Sequence, residues 1–158
     1  MATRTFELAT RVPAPPGTVL DFLVSLDRHR GLHPYLVSAT IVDEGAGGDG
    51  PWRAWRVVER PRLGPIRYPI RFSARVTRTS ATSYRTDTST GPGVRLTVTM
   101  TVAPEGRGTL VRESTTVTAP RPLIGYVTRH ARAAHARVFR LLPDEVARDG
   151  ETARPSGP

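Results

Sequence analysis

The 158-residue chain contains no cysteine and no lysine. Without cysteine there is no disulfide framework, no thiolate nucleophile and no cysteine-type zinc site. Aromatic residues make up only 6% of the sequence, and they do not cluster with basic residues as base-stacking modules require. Long apolar runs are also missing. No stretch reaches the roughly 20 residues needed to span a bilayer. The run from Val19 to Leu26 is short and interrupted by Asp21 and Ser25, so it does not read as a secretion signal. The expectation is a cytoplasmic protein without a membrane span.

Several chemistries lack their residues as well. There is no HExxH pair, no Ser-His-Asp order, no phosphate loop and no pair of carboxylates at a suggestive spacing. No metal and no cofactor are expected. The glycine run 45–50 loosely resembles a dinucleotide fingerprint, but a Trp-containing strand follows it where a helix would be needed, and it reads as a flexible hairpin.

What is present is positive charge, +9 in net, all of it on arginine. Arg67, Arg71 and Arg75 share one strand face, and Arg129, Arg132 and Arg140 share one helix face. Solvated faces account for this pattern. A nucleic-acid or anionic membrane partner is the rival reading, for which only weak, salt-sensitive and non-specific nucleic-acid binding is expected.

The length suits one domain with a real core. Thr3 to Val12 alternates as a half-buried strand, and prolines 13, 15 and 16 end it. Thr18 is placed to cap a short helix carrying Val19, Leu20, Leu23 and Val24, with a second broken turn over Asp27 to Leu32. Strand patterns then fill Leu36–Glu44, Trp52–Arg60, Ile66–Val76, Tyr84–Thr90, Val94–Val102 and Thr109–Thr118, joined by short turns that force antiparallel pairing. A long helix follows Pro122, with Leu123, Val127, Ala131, Ala134, Val138 and Leu141 as its apolar stripe. Pro143 ends or kinks it, and residues 144–148 can resume it. The predicted class is α+β: a seven-stranded curved antiparallel sheet, two short helices and one long C-terminal helix. One helix about 10 Å across cannot cover a flat sheet about 30 Å wide. The sheet must curl, which leaves space for a ligand.

This order resembles the START-like helix-grip superfamily, which includes the birch pollen allergen, lipid-transfer domains and bacterial polyketide cyclase/dehydrases. The likeness covers about residues 3–146. It rests on Val12-Pro13-Ala14-Pro15-Pro16 leading to Val19-Leu20-Asp21-Phe22-Leu23, on Asp27 through His33-Pro34-Tyr35, and on Gly108 to Glu113. Leu20 stands where an aromatic is common, and His33 where a Trp commonly precedes Pro34. One domain over residues 1–148 is expected, with a disordered tail over 149–158, which is polar and carries Gly and Pro; the resemblance implies an apolar cavity between sheet and C-terminal helix. A lipid, polyketide or quinone-like molecule would bind there, carried or sensed; the alternative is a cofactor-free polyketide cyclase/aromatase. Expected ligand-facing residues are Trp55, Tyr68, Ile70, Phe72, Leu96, Val98 and Met100 from the sheet, and Val127, Ala131 and Ala134 from the helix.

Turnover would need acid–base help. His130, beside the helix stripe, is the first candidate, with Glu113 to orient it and His33 and Tyr68 as further groups. His29 is expected to be exposed and His135 to lie off the stripe. Strand 109–118 has two possible registers. One turns Val111, Glu113, Thr115 and Val117 inward, the other Leu110, Arg112 and Ser114.

Overall fold

The computed structural model describes residues 1–63 and 65–153. β1 (Ala2–Val12) leads to α1 (Pro16–Leu23) and a 3-10 turn at Leu26–Arg28. β2 (Leu36–Gly47) and β3 (Gly50–Glu59) follow. Two-residue strands β4 (Arg62–Leu63) and β5 (Ile66–Arg67) come next, then β6 (Ile70–Ser80), β7 (Ser83–Gly91), β8 (Val94–Glu105), β9 (Gly108–Ala119) and α2 (Ile124–Thr152). Seven strands form one curved antiparallel sheet in the order β1-β9-β8-β7-β6-β3-β2, and the class is α+β. β4 and β5 pair only with each other.

That small hairpin corrects the long alternation expected over Ile66–Val76. Pro69 has no N–H for the ladder, so the chain rejoins β3 only at Ile70, opposite Glu59. Ile66 is left 63% exposed and Tyr68 39%. Within β6 the expected phase holds. Ala74 and Val76 are buried, Ile70 and Phe72 half-buried, and Arg71 and Arg75 exposed. The glycine run closes as a tight turn, with Gly47 opposite Gly50. Gly50 has φ 120°, and a side chain there would run into the Arg78 carbonyl, so glycine is required.

α1 begins one turn earlier than expected, at Pro16, with Pro15 rather than Thr18 at its N-cap. Val19, Leu20, Phe22 and Leu23 are all buried, and α1 packs on β8 and β9. α2 lies along β1 and β9. It passes through Pro143 without ending and takes in residues 149–152 of the expected tail. The missing hydrogen bond at Pro143 costs about 3 kcal/mol. Burial of Leu142 and Val146 on either side, and the ion pair of Asp149 with Arg28 of the 3-10 turn, offset it. No helix is long and apolar enough to cross a membrane among the described residues.

The inner face of α2 is rotated from the expected stripe. Ile124, Phe139, Leu142 and Val146 are buried, and Val127, Ala131, His135 and Val138 are half-buried. Leu123 is 46% exposed and Ala134 is exposed. Counting back from Val146 through Leu142 and Phe139 reaches His135 and Ala131. An expected stop at Pro143 hides that frame, because Val146 then drops out of the count.

Candidate functional site

Sheet register sets the floor of the concave face. One row across the strands reads Trp55, Ala74, Thr88, Leu96, Val117 and Arg4. The next reads Arg53, Val76, Thr86, Val98, Thr115 and Phe6, and the third Arg78, Tyr84, Met100, Glu113 and Leu8. Val111, Thr115 and Val117 are all 0% exposed and Glu113 is 5% exposed. The inward register of β9 is therefore the one with the carboxylate inside.

A buried carboxylate needs partners. Glu113 Oε1 accepts from Thr115 Oγ1 at 2.6 Å and from His135 Nδ1 at 2.6 Å. His135 Nδ1 donates this bond, and in the neutral ring that leaves the lone pair on Nε2, the tautomer a general base requires. The ring meets Phe6 edge-on at 5.8 Å. Tyr84, in the same register row, donates its hydroxyl to Met100 Sδ at 3.4 Å. Burial, reinforced by the Glu113 carboxylate, raises this phenol, so it stays protonated.

The partner of Glu113 is thus His135 and not His130. His130 is exposed, with Nδ1 3.0 Å from the Tyr126 carbonyl one turn back and its ring 4.0 Å from the Tyr126 ring. It does not face the sheet, because it stands beyond the edge of the rotated stripe. His33 is half-buried with its ring 6.1 Å from that of His29, and burial, then His29 and His135, push it down to about 4. His29 is buried rather than exposed. Its Nε2 lies 3.0 Å from the Phe22 carbonyl and its ring stacks on Phe22 at 5.3 Å. Burial pushes it down to about 4 as well. No group of three or more potential metal ligands gathers among the described residues.

A cavity of about 420 Å³ opens where α1 ends, lined by Val24, Glu44, Gly45, Pro51, Trp52, Arg53, Val76 and Arg78. Two ion pairs stand at it, Arg53 with Glu44 at 3.4 Å and Arg78 with Asp21 at 3.3 Å. The cavity lies at the β2–β3–β6 side of the sheet, away from α2. Of the expected ligand-facing residues, Trp55, Val98 and Met100 are buried on the concave face, with Ile70, Phe72 and Leu96 half-buried. Val127 and Ala131 pack into a second apolar cluster with Phe6 and Val117. Tyr68, in the link between β5 and β6, is 39% exposed, and the helix frame turns Ala134 outward.

Comparisons with known proteins agree with this architecture. The Zhui aromatase/cyclase of a Streptomyces species superposes with a TM-score of 0.75 at 14% identity, covering 99% of both chains. A START superfamily protein from Mycobacterium smegmatis gives 0.66 at 15% identity, over 91% of this chain and 97% of that one. Ara h 8.0201 gives 0.70 at 19%, over 92% and 99%. No curated protein sequence matches. The family described as polyketide cyclase / dehydrase and lipid transport matches residues 3–148. With nearly the whole chain accounted for by that match, and the helix-grip architecture beneath it, this protein belongs to the polyketide cyclase/dehydrase and lipid-transport family.

Proposed function

We propose that the chain binds an apolar or aromatic small molecule on the concave face of its sheet, as a carrier or sensor. The cavity carries this reading. Its volume falls in the range of small-molecule sites, and it combines apolar walls with a few placed polar groups. Val24, Pro51 and Val76 supply the walls, and Glu44, Arg53 and Arg78 the polar groups. The family's lipid-transport description agrees with it. Titration with 1-aminoanthracene is expected to saturate at one equivalent, and Val24→Trp, which fills the cavity from the end of α1, to weaken binding at least about tenfold. Failure to saturate, or unchanged affinity in Val24→Trp, would overturn the reading.

One observation favours turnover as a second reading: the Glu113–His135 pair. A carboxylate holding an imidazole in one tautomer is the arrangement of an oriented general base. A neighbour of the same fold is named an aromatase/cyclase. On this reading His135 abstracts a proton next to a substrate carbonyl, and cyclisation or loss of water follows with no cofactor. General acid–base help is worth roughly 10² to 10⁴ in rate. His135→Ala should lower the rate of cyclised product from a linear polyketone mimic by that factor, followed by mass. Product at the uncatalysed rate from both forms removes the cyclase reading and leaves the carrier.

A further inference from the structure

The two ends of the antiparallel sheet carry different surfaces. At one end the register sets the starts of β1, β2, β6 and β8 beside the close of β3, β7 and β9: Leu36 stands opposite Glu59, Glu59 opposite Ile70, Gly91 opposite Val94 and Ala2 opposite Ala119. The links that leave the sheet here expose large apolar side chains. Tyr35 is 45% exposed, Ile66 63%, Tyr68 39% and Leu123 46%, and Tyr126 on the first turn of α2 is 58% exposed. Arg60, Arg67, Arg95 and Arg121 are exposed at the same end, and none has an ion-pair partner among the described residues. Residues 2–4, 31–37, 59–71, 90–95 and 118–126 hold a single carboxylate, Glu59, which is half-buried. At the opposite end the arginines are neutralised: Arg11 by Glu105, Arg53 by Glu44, Arg78 by Asp21 and Arg85 by Asp49. Positive charge is thus left open only where hydrocarbon is exposed beside it.

We infer that this end of the sheet is a docking face for an anionic lipid bilayer. The exposed side chains run from Leu123, which follows β9 near one edge, to Tyr35, which precedes β2 at the other, across a sheet about 30 Å wide. That span is too broad for one small anion and suits a planar partner. Guanidinium groups meet lipid phosphates, aliphatic tips reach the acyl boundary, and tyrosines sit at headgroup level. Nucleic acid fits less well, because Ile66 and Leu123 have no aromatic face on which a base could stack. A protein interface has an apolar core depleted of charge, whereas here arginines stand between the apolar tips, and a second copy brings the same +9 net charge. The cavity lies at the opposite end, beside Gly45 and Pro51 of the β2–β3 turn. A docked chain therefore keeps its cavity open to water, and the inference stands independently of what the cavity holds.

The chain has no cysteine, so Leu123→Cys takes a single environment-sensitive nitrobenzoxadiazole label at the docking end. Gly48→Cys, where a side chain meets nothing within 4 Å, takes it at the opposite end. Vesicles of phosphatidylcholine with about one-third phosphatidylglycerol should bind both labelled proteins at low salt. They should brighten and blue-shift the label at position 123 and leave the label at position 48 unchanged, while pure phosphatidylcholine does neither. Ile66→Ser, at an exposed position, should weaken partitioning about tenfold. Arg67→Gln should weaken it about fivefold, the effect of one cation near an anionic surface. Both variants should keep the thermal midpoint and the affinity for 1-aminoanthracene. No vesicle binding at low salt, or an equal response of the two labels, overturns the docking face. Partitioning that falls with Arg67→Gln but not with Ile66→Ser is adsorption through charge alone and overturns it too. Tighter binding to polyuridine than to the vesicles, unaffected by Ile66→Ser, assigns the face to nucleic acid instead. None of these outcomes touches the cavity reading, which stands or falls on the 1-aminoanthracene titration.

Discussion

The two sides of the sheet are finished differently. On the β1–β9–β8 side, α1 and α2 both lie on the concave face, and Val12, Val111, Thr115 and Val117 are at most 1% exposed. On the β2–β3–β6 side neither α1 nor α2 is a principal packing partner of the strands among the described residues. Val37, Ile41 and Val42 of edge strand β2 are 37%, 40% and 50% exposed, and the cavity opens beside Val76. α2 grips one edge, and on the other side of the curved face the open apolar surface is confined to edge strand β2 and the cavity beside Val76, since Trp55, Val57, Ala74 and Val76 are at most 4% exposed. Stability should therefore be concentrated where the helices are, and binding where they are not.

The largest expected effect tests the covered side. Leu142 is 0% exposed in the main core, and Leu142→Ala should cost about 2–5 kcal/mol through the cavity it leaves. Ile41→Ala on the other side should stay within about 0.5 kcal/mol. Urea denaturation of the two variants measures both, and comparable losses would break the contrast.

Acid should act next, through the buried histidines beside the 3-10 turn. His29 and His33 titrate near 4 in the fold and near 6.5 when unfolded, chiefly because burial disfavours their charged forms. The unfolded chain then binds more protons than the fold between those values, so stability falls as pH drops from about 6.5 toward 4. For fully buried His29 the loss is on the order of 3 kcal/mol. His29→Phe, which keeps the stacking partner of Phe22, should flatten the dependence of the thermal midpoint on pH over that window. A third effect belongs to the seam where α2 meets β9. His135→Ala removes one of two partners of a buried carboxylate and should cost about 1–3 kcal/mol. Hydrogen exchange should quicken in α2 and β9 and not in β2 or β3.

How much of this was legible in the sequence depends on what each signal measures. Alternation reports which residues share a face, and it placed Val98, Met100, Ala74 and Val76 on one face and Arg71 and Arg75 on the other. It does not report where a strand stops pairing. Pro69 supplied that signal, and following it would have removed Ile66 and Tyr68 from the interior. In β9 the two faces were nearly balanced, since Thr and Ser fit either side. The partners that let Glu113 face in are Thr115 on the same strand and His135 on α2, and strand periodicity reports neither contact. Helix periodicity failed through its length: with Pro143 taken as the end, a stripe through Ala134 and one through His135 score alike. The unpaired indole N–H of Trp55 has no sequence signature, because it depends on which side chains fold against it.

The smallest expected effect separates the two histidines of α2. They are five residues apart, which is 500° around an α-helix and so 140° beyond a full turn. One cannot face the sheet if the other does. His135 faces it, bonded to Glu113, while His130 contacts only its own helix through Tyr126. Side-chain pairs one turn apart on an exposed helix face are worth about 0.2–0.5 kcal/mol. His130→Ala should therefore shift stability by no more than about 0.5 kcal/mol, partly regained from the higher helix propensity of alanine. It should leave the affinity for 1-aminoanthracene unchanged and any turnover intact. The urea midpoint and the titration, run beside His135→Ala, measure this directly. A His130→Ala variant that lost binding or activity while His135→Ala kept both would mean that α2 presents the opposite face to the sheet, and the division into a covered and an open side would have to be redrawn.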